Sequence, residues 1–306
     1  MPVKAGVIGV GYLGQHHARI YSGMDSADLV GVFDTDTGRC NEIAEQYGCK
    51  PFTDMSELIS NCDALSIVAP TQAHHNIAME CIEQGKDILV EKPITVTVEE
   101  ADHIISEAHK RDLILQVGHL ERFNPAVLAV HQYLTEPQFF ESERLSPFLE
   151  RAAGIDVTLD LMIHDIDIIL SLARSEPKRV SAVGTSVMSD NIDVAKAWID
   201  FDNGVSALIS AGRLSQGKSR KLKIFQRDSH LVIDYQEGMI KRHYKTGSNK
   251  IMHDVIKPDD REPLLEELIS FVECIETRER PVVSGEEARN ALKVALQITE
   301  QLKGSN

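Results

Sequence analysis

The chain has 306 residues, 42% apolar and 26% charged, ordinary proportions for a folded protein and enough for two hydrophobic cores. Its net charge of −15 argues against a general nucleic-acid or anionic-membrane binder, though not against any small substrate, which feels local charge. The five cysteines (Cys40, Cys49, Cys62, Cys81, Cys274) form no Cys-x-x-Cys pair, which speaks for reduced thiols in a cytoplasm; nothing reads as a signal peptide or as a membrane span.

The first element is a β-branched apolar run, Val3–Ile8, leading into Gly9-Val10-Gly11-Tyr12-Leu13-Gly14 and then a helical stretch, Gln15–Ser22. A buried parallel strand reads as such a run, and the glycines stand where it turns sharply into a helix. Gly9 permits the turn, Gly11 lets backbone approach a pyrophosphate, and Gly14 lets the helix pack against the strand. The phosphates then meet N–H groups at the positive end of the helix, with Tyr12 and Leu13 lining it. A second run, Ala27–Phe33, ends at Asp34, twenty residues past Gly14, where a ribose-binding carboxylate belongs.

Strand and helix signals keep alternating. Helices at Thr37–Tyr47 and Met55–Ser60 bracket a short Pro51-Phe52 strand; Ala64–Ala69 is a strand, followed by a helix from about His75 to Gln84. Asp87–Val90 is a strand ending in Glu91-Lys92-Pro93, Thr97 and Glu100 form a capping box for a helix to Arg111, and Leu113–Val117 closes the series. Six strands with intervening helices describe a doubly wound parallel sheet, whose ligands sit beyond the strands' carboxyl ends. Asp34, Ala69-Pro70-Thr71 and Glu91-Lys92-Pro93 all fall there, which makes each a candidate cofactor contact.

The pattern then changes. A helix at Pro125–Tyr133, a strand near Phe139–Arg144 and an apolar helix over Val157–Ala173 precede a stretch to about Tyr244 that is mostly strand, with a hairpin signal at Asp202-Asn203-Gly204. Two amphipathic helices, Leu264–Ile275 and Glu286–Leu302, finish the chain. The fold class is α/β: a dinucleotide-binding domain over residues 1–119 and a substrate-binding and oligomerisation domain over residues 120–306, with a large, mostly antiparallel sheet. One face of that sheet needs cover, and the usual cover is a second subunit, giving a homodimer or homotetramer.

Lys92, at a strand's carboxyl end, is placed to hydrogen-bond a substrate hydroxyl and stabilise charge on its oxygen; the alternative is a solvated lysine paired with Glu91. Asp160 and His164 lie four apart on a largely buried helix, hence on one face, with Asp167 a turn further. Imidazole suits proton removal from an alcohol as hydride leaves its carbon, while the alternative is a polar pair tying the helix to the sheet. His74 either faces the cofactor or is a surface residue. The adjacent pairs His16-His17 and His74-His75 are not helical ligand spacings, and no metal is expected. Arg213, Lys218, Arg220, Lys221 and Lys223 form a basic segment without an acid, suited to an anionic group such as a diphosphate or to guarding an edge strand.

Together Gly9-x-Gly11-x-x-Gly14, Ala69-Pro70-Thr71-x-x-His74, Glu91-Lys92-Pro93, Arg122-Phe123-x-Pro125 and Asp160-x-x-x-His164 resemble the glucose–fructose oxidoreductase / inositol dehydrogenase (Gfo/Idh/MocA) family over nearly the whole chain. The resemblance implies an N-terminal Rossmann domain, an open-sheet C-terminal domain used for oligomerisation, and a catalytic group of Lys92, Asp160 and His164, with His164 or Lys92 accepting the proton. Leu120 departs from many members, which often have asparagine nearby. A narrower likeness, through Gly118-His119-Leu120-Glu121-Arg122-Phe123-Asn124-Pro125 and Ser219-Arg220-Lys221, is to the branch that oxidises the 3-hydroxyl of UDP-N-acetylglucosamine. It makes His119, Arg122, Asn124, Arg213, Arg220 and Lys221 candidate substrate contacts. NAD is the expected cofactor, because Asp34 accepts from ribose hydroxyls and repels a 2′-phosphate. A dehydrogenase of a free sugar or cyclitol, and a non-catalytic dinucleotide sensor on the same fold, are the alternatives.

Overall fold

Buried parallel strands, apolar on both faces, account for the first half of the chain. In the computed structural model, which describes all residues except 151–153, 248–249 and 305–306, β1 (Val3–Ile8), β2 (Ala27–Phe33), β3 (Lys50–Phe52), β4 (Ala64–Ile67), β5 (Asp87–Glu91) and β6 (Leu115–Gly118) form one parallel sheet ordered β3-β2-β1-β4-β5-β6. Every residue of β4, β5 and β6 is buried, as a sheet covered on both faces requires. The covering helices are α1 (Gly14–Ser22), α2 (Thr37–Tyr47), α3 (Met55–Asn61), α4 (Thr71–Glu83) and α5 (Val98–Lys110). Asp36 caps α2, Asp54 caps α3, and Thr97 with Glu100 makes the reciprocal capping box of α5. Helix α4 begins at Thr71, earlier than its apolar periodicity suggests, because Pro70 can stand at its N-cap.

The second half supplies α6 (Pro125–Val130), β7 (Pro137–Leu145) and α7 (Ile163–Ala173), followed by β8 (Pro177–Thr185), β9 (Val194–Phe201), β10 (Ser206–Gly212), β11 (Ser219–Gln226), β12 (Ser229–Asp234), β13 (Met239–Lys245) and β14 (Ile251–Ile256). They build an eight-stranded sheet, β14-β13-β12-β11-β7-β10-β9-β8, antiparallel except where β7 pairs β10. β14 lies beyond the predicted strand region, since its exposed Ile251 and Val255 alternate with half-buried residues. The predicted hairpin joins β9 to β10, with Gly204 at φ +86°.

Strand residues alternate between a face packed on helices and an open one. On the open face Phe139, Phe225, His230, His243 and His253 are directly paired across five adjacent strands. Their neighbouring rings lie 4.5–5.9 Å apart, and Trp198 stacks on Phe139 at 5.4 Å.

A single cut near residue 119 does not describe the compact units. The first comprises Met1–Leu120 together with Glu262–Arg289, and the second Glu121–Arg261 together with the chain from Asn290. Helix α8 (Pro263–Thr277) returns to the first unit because Leu264, Leu268, Phe271 and Val272 join the core built by Val3, Val7, Leu29 and Val32. From α9 (Gly285–Lys303), Ala291, Val294, Ala295 and Ile298 join the second core. The division thus follows which side chains can be buried together. Among the described residues, no helix is long and apolar enough to cross a membrane.

Candidate active site

The glycine loop is shaped by close approaches. Gly9 has φ +89°, and a Cβ there would lie 2.6 Å from the Val68 carbonyl oxygen; at Gly14 it would lie 1.9 Å from the carbonyl oxygen of Gly9. Gly11 differs. No atom lies within 4 Å of the place its Cβ would take, so protein packing does not demand glycine there and the loop is open to a bound group. Leu13 offers no capping side chain to α1, whose first turn carries no acid, and Tyr12 is 70% exposed beside it. A loop with open backbone at an uncapped helix start fits a pyrophosphate. Asp34 stands at the end of β2, accepting from the Val10 N–H at 2.7 Å and the Asp36 N–H at 2.9 Å. Arg39, which sequence reasoning missed, donates to the Val10 carbonyl at 3.1 Å and to Gln15 at 2.8 Å, tying α2 to the loop.

Along the same carboxyl edge lie Ala69, Pro70 and Thr71 after β4, and Lys92 after β5. His74 is not a surface residue. Its buried ring lies between the carbonyl oxygens of Ala69, at 2.8 Å, and Pro93, at 2.9 Å, linking the ends of β4 and β5. Glu91 also points inward: one carboxylate oxygen accepts from the Lys92 N–H at 3.1 Å, and the other lies 3.4 Å from His17 Nε2. Both residues thus hold strand ends at the carboxyl edge where the sequence places them as candidate cofactor contacts. Lys92 is half-buried, and His119, the first residue after β6, is buried.

In the second unit, the four-residue spacing of Asp160 and His164 does not fall on one regular α-helix. Thr158–Met162 is a π-helical turn, and His164 is the second residue of α7. Both side chains are half-buried, whereas Ile163, Asp165, Ile166 and Asp167 are buried. Asp167 turns inward, 3.4 Å from Arg122. Asp165 meets a residue the sequence reading passed over, Arg144, which donates to it through Nε at 2.9 Å and a terminal nitrogen at 3.1 Å and to Glu121 at 2.8 Å. Burial alone would weaken the guanidinium's hold on its proton; the Asp165 and Glu121 carboxylates reverse this and push it up. The signal was present in β7, where Arg144 occupies the inward parity of Phe140 and Ser142.

The basic segment does not act as a block. Arg213 is buried, donating to the Ile192 carbonyl at 2.9 Å and to the Ile155 carbonyl, and lying 3.3 Å from Asp193. Lys221 and Lys223 stand on the open sheet face, 3.6 Å from Asp234 and 3.0 Å from Glu141. Arg220 has the opposite parity and lies 3.5 Å from Glu121, within the Arg144 network. Asn124 caps α6, accepting from the Ala126 N–H at 3.0 Å. Of the candidate substrate contacts, Arg213 and Asn124 are thus engaged in structure, and Arg122 and Arg220 gather around α7. No group of three or more His, Cys, Asp or Glu side chains among the described residues could hold a metal ion.

The model of an oxidoreductase family with an NAD-binding Rossmann fold, GFO/IDH/MocA, matches residues 3–119, and the GFO/IDH/MocA C-terminal domain matches residues 126–241. The chain belongs to the GFO/IDH/MocA family. Like other members it is a dehydrogenase, and its first unit is an NAD-binding Rossmann domain. It is similar to the UDP-N-acetylglucosamine 3-dehydrogenase of Acidithiobacillus ferrooxidans, 35% identical over 97% of this chain and 96% of that one. A solved structure of that GFO/IDH/MocA enzyme superposes with a TM-score of 0.95 at 34% identity, covering 99% of each chain. The NAD-dependent scyllo-inositol 2-dehydrogenase of Bacillus subtilis is 27% identical over 98% of this chain and 94% of its own. Scyllo-inositol dehydrogenase from Lactobacillus casei, solved with NAD(H) and scyllo-inositol, shares the fold at 20% identity, with a TM-score of 0.86 over 100% of this chain and 98% of that one.

Proposed function

We propose that this dehydrogenase oxidises a ring hydroxyl of a nucleotide sugar, the 3-hydroxyl of UDP-N-acetylglucosamine, to the ketone, with NAD as cofactor. The observation that carries this reading is the full-length likeness to the Acidithiobacillus ferrooxidans enzyme, 35% identical over 97% of this chain. The backbone at Gly9, Gly11 and Gly14 holds the diphosphate, Asp34 the adenosine ribose, and Ala69-Pro70-Thr71 lines the same carboxyl edge. The nicotinamide, when bound, supplies the hydride acceptor. Lys92 donates to the reacting oxygen and stabilises its developing charge, Asp160 orients the hydroxyl, and His164 takes the proton, with Lys92 as the alternative acceptor. Arg220 and Arg122 are the cations suited to the substrate's diphosphate.

The test is NADH production across UDP-sugars, free sugars and cyclitols. Turnover confined to UDP-N-acetylglucosamine is expected; saturation by inositols without a UDP group would favour the second reading, which the 27% identity to the scyllo-inositol enzyme supports. Lys92→Ala should lower kcat by about 10³-fold while NAD still binds in calorimetry, and full activity in that variant overturns the mechanism. The open sheet face, with its row of rings from Phe139 to His253, suits a homodimer or homotetramer. A monomer in sedimentation equilibrium would rule that out.

A further inference from the structure

The first turn of α7 carries His164, and the proposed chemistry depends on where that turn points it. No regular helix sets this direction from the preceding chain. The π-helical turn Thr158–Met162 runs straight into α7, and Met162 offers no capping side chain. Ile163 and Ile166 are fully buried in the second core, but apolar attraction has no direction of its own. The directional contacts fall on the residue after His164. Both carboxylate oxygens of Asp165 accept from Arg144, from Nε at 2.9 Å and from a terminal nitrogen at 3.1 Å, a two-pronged geometry that fixes orientation as well as distance.

Arg144 is itself firmly held. It is 2% exposed and stands on β7, an interior strand with β10 on one side and β11 on the other. Its other terminal nitrogen donates to Glu121 at 2.8 Å. Glu121 is braced in turn by the Asn124 amide at 3.4 Å and by Arg220 of β11 at 3.5 Å. The second attachment of α7, Asp167 to Arg122, is a single contact at 3.4 Å. Stability alone does not call for this construction, because apolar side chains of similar size would avoid the cost of desolvating the ions.

We propose that Arg144 is a positioning residue for His164: its fork on Asp165, braced by Glu121, sets the rotation of the first turn of α7 and so the place of the imidazole one residue earlier. This rests on His164 being the residue that takes the proton from the reacting hydroxyl. Side-chain tips lie about 5–6 Å from a helix axis, so about 10° of rotation shifts the imidazole by about 1 Å, which can cost about 10²-fold in rate.

Variants assayed per folded molecule, on the substrate that yields NADH, separate positioning from stability. Arg144→Met should lower kcat by about 10²-fold with the affinity for NAD unchanged. Combining it with Asp165→Leu should restore resistance to urea without restoring kcat. Arg144→Lys keeps the charge but loses the fork, and should still lose about tenfold or more in kcat. In a His164→Ala background the same Arg144→Lys change should cost less than about threefold further, because the group it places is gone. Recovery of kcat along with stability in the double variant overturns the proposal, and so does an Arg144→Lys effect that is undiminished without His164. If neither methionine variant folds, Arg144→Lys in the two backgrounds decides. Wild-type kcat in His164→Ala would instead overturn the assignment of His164, whatever the Arg144 variants show.

Discussion

Each unit of this dehydrogenase buries carboxyl groups, and the two units accommodate them differently. Near His164, Glu121 and Asp165 are bridged by Arg144, whose three contacts fall between 2.8 and 3.1 Å. In the first unit, among the described residues, Glu91 and Glu267 meet no guanidinium, and Glu267 finds no donor. A guanidinium between carboxylates is insensitive to pH over the working range and intolerant of losing a partner. A buried carboxyl whose hold on its proton is raised, as that of Glu267 is by burial, tolerates an amide of the same shape but is tied to pH. The difference teaches that buried acidity alone does not tell how a site is held; the partner does.

The largest effect should come from breaking the guanidinium network. Arg144→Met leaves Asp165 and Glu121 without their main cation and should cost about 3–5 kcal/mol in urea-induced unfolding. Pairing it with Asp165→Leu should recover much of that loss, since apolar replacement of a buried ion pair is often tolerated. A single variant within about 1 kcal/mol of wild type, the size of an exposed ion pair, would mean that this network is no stronger than a surface contact.

The unequal legibility of the two regions has the same origin. The glycine loop, Asp34 and the strand ends were readable because each obeys a local rule: a turn that only glycine fits, or a carboxyl end where parallel strands present their loops. Lys92 was placed by position alone. What stayed hidden depended on contacts far apart in sequence, such as Arg144 with Asp165 or Gln116 with the main-chain carbonyl of Glu267. The return of α8 to the first unit is equally non-local, since its amphipathic pattern states that a face is buried but not against what. The π-helical turn at Thr158–Met162 also escaped, because apolar spacing does not distinguish one wider turn within a helical run.

Another buried carboxylate sharpens the comparison. Asp193 is buried without depending on a proton, accepting from the backbone N–H groups of Val187, Met188 and Ser189 at 2.8, 2.6 and 3.0 Å. Burial by itself would raise this carboxyl, but the Met188 and Val187 N–H groups and Ser189 outweigh it and bring it down to about 2. A depressed folded value means that the stabilisation is present above the unfolded value near pH 4 and is lost as pH falls toward 2. Asp193→Asn should therefore cost about 2 kcal/mol at neutral pH and progressively less below pH 4. A cost independent of pH would assign the loss to packing rather than to charge.

The smallest effect at neutral pH, and the sharpest discriminator, belongs to Glu267→Gln. In the wild type the folded chain keeps a proton that the unfolded chain releases above about pH 4.3, so this group's contribution is intact below that value and declines as pH rises toward the higher folded one. The amide does not titrate. Glu267→Gln should therefore match wild type near pH 4.5 and become the more stable of the two by about 1 kcal/mol or more at pH 8 in urea unfolding. The reverse order, with the variant weaker at pH 8, would mean that Glu267 is ionised and paired with a cation in the folded chain. Both units would then hold their buried carboxyls by the same device, and the contrast between them would vanish.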